Sequence, residues 1–160
     1  MNNGHKEAVI EHLNLTRAPL MAFLSALTPV QWETAVQSED AEWTVADIVR
    51  HLANAEKGMT GLIKQFKVGK DPVPPDFDRE RYNKRSVEKT KDESPEALLS
   101  SMKQNREHLL AVIDSLTADD WQKKGRHASL RMMTIEEVCR LIADHEVAHL
   151  QDMQESLESS

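Results

Sequence analysis

Leu27-Thr28-Pro29-Val30-Gln31-Trp32 recurs later in the chain as Leu116-Thr117-Ala118-Asp119-Asp120-Trp121, and each copy closes a long run of helical periodicity. Before the first copy, Val9, Leu13, Leu20, Phe23, Leu24 and Leu27 share one face at the 3.6-residue period, over about Lys6 to Leu27. Before the second, Ser94 supplies an N-cap and Pro95 the first helical position, and Leu98, Met102, Leu109, Val112, Ile113 and Leu116 form the stripe. After each copy comes a loop and then a threonine with an acid three residues on, Thr44 with Asp47 and Thr134 with Glu137, the spacing of a reciprocal N-terminal cap. Thr44 opens a helix to about Val68, striped by Val45, Ile48, Leu52, Ala55, Met59, Leu62, Ile63 and Phe66. Thr134 opens one to about Leu157, whose stripe begins Ile135, Val138, Leu141 and Ile142. Each half therefore reads helix, corner, loop, capped helix. Two αα-hairpins whose apolar faces cover each other predict an all-α four-helix bundle.

Pro19 falls inside the first helical pattern, where it predicts a kink or restart. Between the second and third helices, Gly69 to Glu93 forms a long polar connection with Pro72, Pro74 and Pro75 and the charged run Asp76-Phe77-Asp78-Arg79-Glu80-Arg81. It is long enough to run the length of a bundle, so a simple up-down-up-down order is not required. Tyr82 and Asn83 are the expected ordered positions within it.

Composition agrees. Five Gly and six Pro in 160 residues leave little material for the turns of a sandwich or barrel, and 39% apolar residues are too many for a disordered acidic chain. One domain spanning residues 1–160 is the expectation. The single Cys139 excludes an intrachain disulfide and a cysteine-based zinc finger, which suits a reducing compartment. With no apolar stretch near Met1 and no run of about 18 apolar residues, the expectation is a cytoplasmic protein without a membrane partner. A net charge of −7 predicts no nucleic-acid partner. The basic stretch Lys123, Lys124, Arg126 and Arg131 reads as an anion site or, more plainly, as an ordinary charged loop before a helix.

The seven histidines carry the chemistry. Past Ile142, the inward stripe of the fourth helix continues through His145 and His149. At i and i+4 their Cβ atoms stand about 5–6 Å apart, close enough to share one metal ion. Two neutral rings facing a core would each need partners of their own, whereas a metal satisfies both. His51, beside core Leu52 on the border of the second helix's stripe, is the candidate third ligand. Three protein ligands with one open position is the pattern of a catalytic metal site. His5, His12, His108 and His127 read as solvated surface positions.

His145-Glu146-Val147-Ala148-His149 also spells HExxH. The zinc-protease reading fails because the extended pattern needs Gly and His where Asp152 and Glu155 stand. A di-iron bundle fails because no other histidine has a glutamate three residues before it. Glu146 is rotated about 100° from His145 and reads as a solvated or ligand-supporting acid against a catalytic base. A DNA-recognition helix at Thr134 is set aside, since His145 and His149 lie on its core stripe and the net charge is negative.

The chain resembles the DinB/YfiT-like superfamily of four-helix-bundle metalloenzymes over nearly its whole length. The residues that carry the resemblance are Trp43-Thr44-Val45-Ala46-Asp47-Ile48-Val49-Arg50-His51-Leu52, Met133-Thr134-Ile135, and His145-Glu146-x-x-His149-x-Gln151, with the Leu-Thr-x-x-x-Trp corners. It implies His51, His145 and His149 as metal ligands, an up-down-down-up helix order and a homodimer. It also implies either thiol-dependent transfer and isomerisation or metal-dependent hydrolysis. The leading expectation is an enzyme with zinc or nickel, iron or manganese being alternatives, that activates a small thiol or water against a small-molecule substrate. Asn83, Asp144, Gln151 and Asp152 are candidate supports for the ligands. The rival is a stress-associated binding or scaffold bundle in which the metal is structural or vestigial.

Overall fold

The computed structural model describes residues 3–38 and 41–159. Four long helices dominate: α1 (Asn3–Ser25), α3 (Val45–Lys67), α5 (Pro95–Asp114) and α6 (Ile135–Glu158). Between α1 and α3 lie a short helix α2 (Pro29–Trp32) and the antiparallel strands β1 (Ala35–Ser38) and β2 (Ala41–Thr44). Between α5 and α6 lie a 3₁₀ turn (Ala118–Gln122) and the antiparallel strands β3 (Lys124–Arg126) and β4 (Met132–Thr134).

The sequence echo is thus a structural one. Thr28 and Thr117 each close a capping box on the short helix that follows, and Trp32 and Trp121 are buried at equivalent corners. Thr44 and Thr134 accept from the backbone N–H of Asp47 and Glu137, whose side chains accept from the threonine N–H in return, satisfying two otherwise orphaned donors at each helix start. The strands, absent from the periodicity reading, are only three or four residues long. Gly125 in β3 lies flat against the Phe66 ring, where a Cβ would come within 2.3 Å of it.

Side-chain pairs give the helix directions. His5, His12 and Arg17 of α1 meet Glu136, Asp144 and Glu146 of α6 in rising order, so these two helices run parallel. Arg106 meets Glu56 and Lys67 meets Ser115, so α3 and α5 also run parallel. Lys6 meets Asp114 while Arg17 reaches Met102, which makes α1 antiparallel to α5. The order is up-down-down-up. Within each repeated half the two long helices are not each other's main partners, because α1 packs chiefly on α6, and α3 on α5 and α6.

Two expectations need correction. Pro19 does not restart the first helix, which runs on as one α-helix to Ser25. Pro19 and Leu15, whose carbonyl loses its helical partner, both lie on the exposed face, where that acceptor is open to solvent. The connection after α3 is not bare chain either, since it contains α4 (Arg79–Lys89), capped by Asp78. Only Val87 of α4 is buried, so no apolar stripe announces it. Arg50 pins the turn at the end of α4 by donating to the carbonyls of Thr90 and Lys91, and Asn54 pins the helix itself by donating to the carbonyl of Ser86.

The core is split. One apolar cluster gathers Leu13, Ile63, Phe66, Leu109 and Ile142, and the other Leu20, Ile48, Leu52, Leu98 and Met153. Between them runs a polar belt.

Candidate metal centre

His51 projects from the second turn of α3, and His145 and His149 from the middle of α6, which runs antiparallel to it. His145 Nε2 lies 3.2 Å from His51 Nε2 and 3.0 Å from His149 Nε2. The three rings stand at 84°, 76° and 80° to one another, so their edges, which carry the nitrogen lone pairs, converge where stacked faces would not. Two nitrogens bound at about 2.0–2.1 Å to one ion stand about 3.3 Å apart at a tetrahedral angle and about 2.9 Å apart at a right angle. The observed spacings fall between these values, and among the described residues this is the one cluster of His, Cys, Asp and Glu with metal-ligand spacing.

His51 and His149 are buried, and His145 is half-buried. The Trp43 ring packs against His51 at 5.1 Å. The Nδ1 of His149 lies 2.9 Å from Ser38 Oγ, which donates to Asp152 Oδ2 at 2.7 Å. This relay favours one tautomer: with Asp152 taking the Ser38 proton, Ser38 accepts the Nδ1–H of His149, and the ring's lone pair sits on Nε2.

Of the residues expected to support the ligands, Asp152 reaches His149 through Ser38. Asn83 lines the adjoining cavity. Asp144 turns away to pair with His12 at 2.9 Å, and Gln151 is exposed and donates to Glu155. Nothing in the sequence marks Ser38, a lone serine reaching the site from β1.

Glu146 is neither solvated nor part of the histidine cluster. It is 3% exposed and accepts from Arg17 and Arg106, which also bind Glu56. The distances run from 2.5 to 2.8 Å, and the two guanidinium groups are finished by the carbonyls of Met102 and Leu13. Burial by itself would lower the Arg17 pKa, but its bonds to Glu146 and Glu56 hold it above its ordinary value. A signal existed: Glu56 sits on the stripe Leu52–Met59–Ile63, Arg106 on Met102–Leu109 and Arg17 on Leu13–Leu20, one charge interrupting each apolar face.

A cavity of about 330 Å³ opens over His51 and His145. Its walls are Ala55, Met59 and Leu62 of α3, Leu141 of α6, Val73 and Phe77 of the connection, Arg79, Tyr82 and Asn83 of α4, and His127 in the β3–β4 turn. His127, a surface position by its loop sequence, is instead 8% exposed. Burial, with the charges of Arg79, His145 and Arg131, brings its pKa down to about 4. The basic stretch is partly spent on structure: Lys123 binds Asp120 and the carbonyl of Lys67, while Arg126 donates to Val73 and, through its backbone, to Asp71.

The family model of the DinB superfamily matches residues 12–153. The chain belongs to the DinB superfamily. Among solved structures the DinB-like chain is similar to YfiT from Bacillus subtilis, described as a probable metal-dependent hydrolase with an unusual four-helix bundle topology. That match has 19% identity over 99% of this chain and 89% of YfiT, with a TM-score of 0.79. A mycothiol-dependent maleylpyruvate isomerase matches at 16% identity and a TM-score of 0.72, over 91% of this chain and 60% of the isomerase. The colibactin self-resistance protein ClbS, crystallised with double-stranded DNA, matches at 19% identity and a TM-score of 0.79, over 96% of this chain and 95% of ClbS. No protein of curated function matches the sequence.

ClbS overturns one expectation. Net negative charge argues against a nucleic-acid partner, yet a DinB-like bundle of this shape is found on duplex DNA. Net charge reports the average of a surface, and a duplex meets only one face of it. Among the described residues no helix is long and apolar enough to cross a membrane.

Proposed function

We propose that this chain is a metal-dependent enzyme in which His51, His145 and His149 hold one divalent ion, zinc or nickel first and iron or manganese as alternatives. Its nucleophile is a thiol or water. The observation that carries the reading is the convergence of three ring nitrogens at metal-ligand spacing, with the cavity open above two of them. When bound, such an ion lowers the pKa of a thiol or of water toward neutrality and so supplies a nucleophile near pH 7.

The chain's own residues supply position and exclusion. Ser38 and Asp152 orient His149, the deep ligand, while Trp43 holds the His51 ring. Met59, Leu62, Phe77 and Leu141 keep bulk water from the reacting centre, and Arg50 and Asn54 hold α4 over the cavity. The description of YfiT as a probable metal-dependent hydrolase supports the water arm, and the mycothiol-dependent isomerase supports the thiol arm. The apolar cavity favours transfer of a small thiol to an electrophile.

Metal content of untagged protein, offered zinc and nickel, tests the ligand set: one equivalent is expected for wild type and a clear loss for His145→Ala. Wild type that takes up no stoichiometric metal overturns the reading. Melting with and without chelator separates an enzyme from a scaffold, because a catalytic ion leaves with the fold intact, whereas a structural ion takes the fold with it.

A further inference from the structure

The cavity beside the histidines, about 330 Å³, is of a size that suits a small organic molecule. Its walls are mostly apolar, and among the described residues neither Asp nor Glu lines it. Arg79, at the exposed start of α4, is its one Lys or Arg and makes no ion pair with any described residue. Among the described residues, Arg79 is thus the one permanently charged side chain in the cavity lining.

Across from it, the backbone N–H of Ser129 donates to His127 Nδ1 at 3.0 Å. A backbone N–H can only donate, so Nδ1 holds the lone pair and the one ring hydrogen sits on Nε2. His127 is thus a fixed hydrogen-bond donor in the wall. The turn that presents it is closed by bonds from His127 N–H to Arg131 and from Leu130 N–H to His127, and it holds Leu130 at a φ of 73°, a conformation unfavourable for leucine.

We propose that this cavity recognises a substrate bearing one carboxylate on a small apolar body, with the Arg79 guanidinium and the His127 Nε2–H as its donors. A guanidinium presents a planar fork that matches a carboxylate, and the His127 Nε2–H adds a neutral donor beside it. That the bound molecule is a substrate rests on the metal-enzyme reading above; recognition of the carboxylate does not.

The test uses full-length protein stripped of metal by chelator at about pH 8, so that a carboxylate has no ion to bind. Phenylacetate and its neutral isostere phenylacetamide are titrated separately, with ¹⁵N NMR of the His127 side chain and the backbone as readout. Phenylacetate is expected to bind roughly tenfold more tightly or better, about 1.4 kcal/mol, and to shift the His127 Nε2–H resonance. Arg79→Gln, on an exposed helix start, should fold normally and lose the preference. His127→Leu should reduce it, and His127→Gln, which keeps an N–H donor, should restore part of it. Equal binding of acid and amide, binding of neither, or a preference unchanged in Arg79→Gln overturns the proposal. Metal uptake by the same preparations separates the two readings: failed uptake with an intact carboxylate preference sinks only the metal site, and normal uptake without the preference sinks only the carboxylate pocket.

Discussion

His145 and Glu146 are neighbours in sequence, yet each belongs to a different polar centre in the same bundle. Glu146 enters a closed quartet with Arg17, Glu56 and Arg106, two charges of each sign, in which the donors meet carboxylates and main-chain carbonyls. His145 enters a trio of rings whose Nε2 atoms point at one another beneath a cavity. The quartet balances its own charge. The trio brings three ring nitrogens to metal-ligand spacing, the arrangement on which the proposed metal site rests. Both interrupt apolar stripes, so hydrophobic patterning alone does not separate a structural polar layer from a reactive one. What separates them is the sign of their parts: opposite charges close on themselves, and like donors converge on a guest.

The most severe challenge to this contrast is to open the quartet. Glu146→Ala leaves buried guanidinium charge short of a partner and should cost about 3–5 kcal/mol, a fall in Tm of roughly 10 °C. A variant that melts with wild type would show that the quartet is not structural. Next, His149→Ala should leave a folded protein that no longer gains stability from metal. The lost gain is about 2.7 kcal/mol when free metal stands a hundredfold above the wild-type Kd, read as the Tm difference with and without metal.

A smaller effect probes the support of the trio. Ser38→Ala removes the acceptor for His149 Nδ1–H and should weaken metal affinity about 10–100-fold, with the metal-free Tm nearly unchanged. Competition against a chelator of known affinity measures it, and unchanged affinity would remove Ser38 and Asp152 from the site. The smallest effect concerns pH. His127 titrates at about 4 when folded, because burial and then Arg79, His145 and Arg131 disfavour its charge, against 6.5 when unfolded. Between those values the unfolded chain binds the extra proton. The contribution of His127 is therefore complete above about pH 6.5 and lost as pH falls toward 4. Metal-free wild type should lose Tm more steeply over that range than His127→Gln; parallel curves would contradict it.

Much of the bundle is legible in the residues. Periodicity and capping place α3, α5 and α6 to within a residue or two, because Thr44, Ser94 and Thr134 cap helices that then bury a continuous stripe. α4 escapes the same reading because it buries little beyond Val87 and is held by Arg50 and Asn54, residues far from it in sequence. His145 and His149 are legible because one helix carries both. His51 is found as a border position on another stripe, where the sequence offers less. His127 is misjudged, since a loop has no period and its burial comes from α4 and the connection folding over it.

Sequence alone determined what a local rule can determine: where helices start, which faces are apolar, that the halves repeat, and that one helix presents two imidazoles a turn apart. Tertiary structure decided what depends on which helices meet. Because α3 runs antiparallel to α6, His51 reaches His145 and His149. Because α1 and α5 close the other sides, Arg17 and Arg106 reach Glu146 and Glu56. Ser38, Arg79 and His127 join the site from strand, helix start and loop, each brought in by contacts between segments distant in the chain, which no spacing along the sequence encodes.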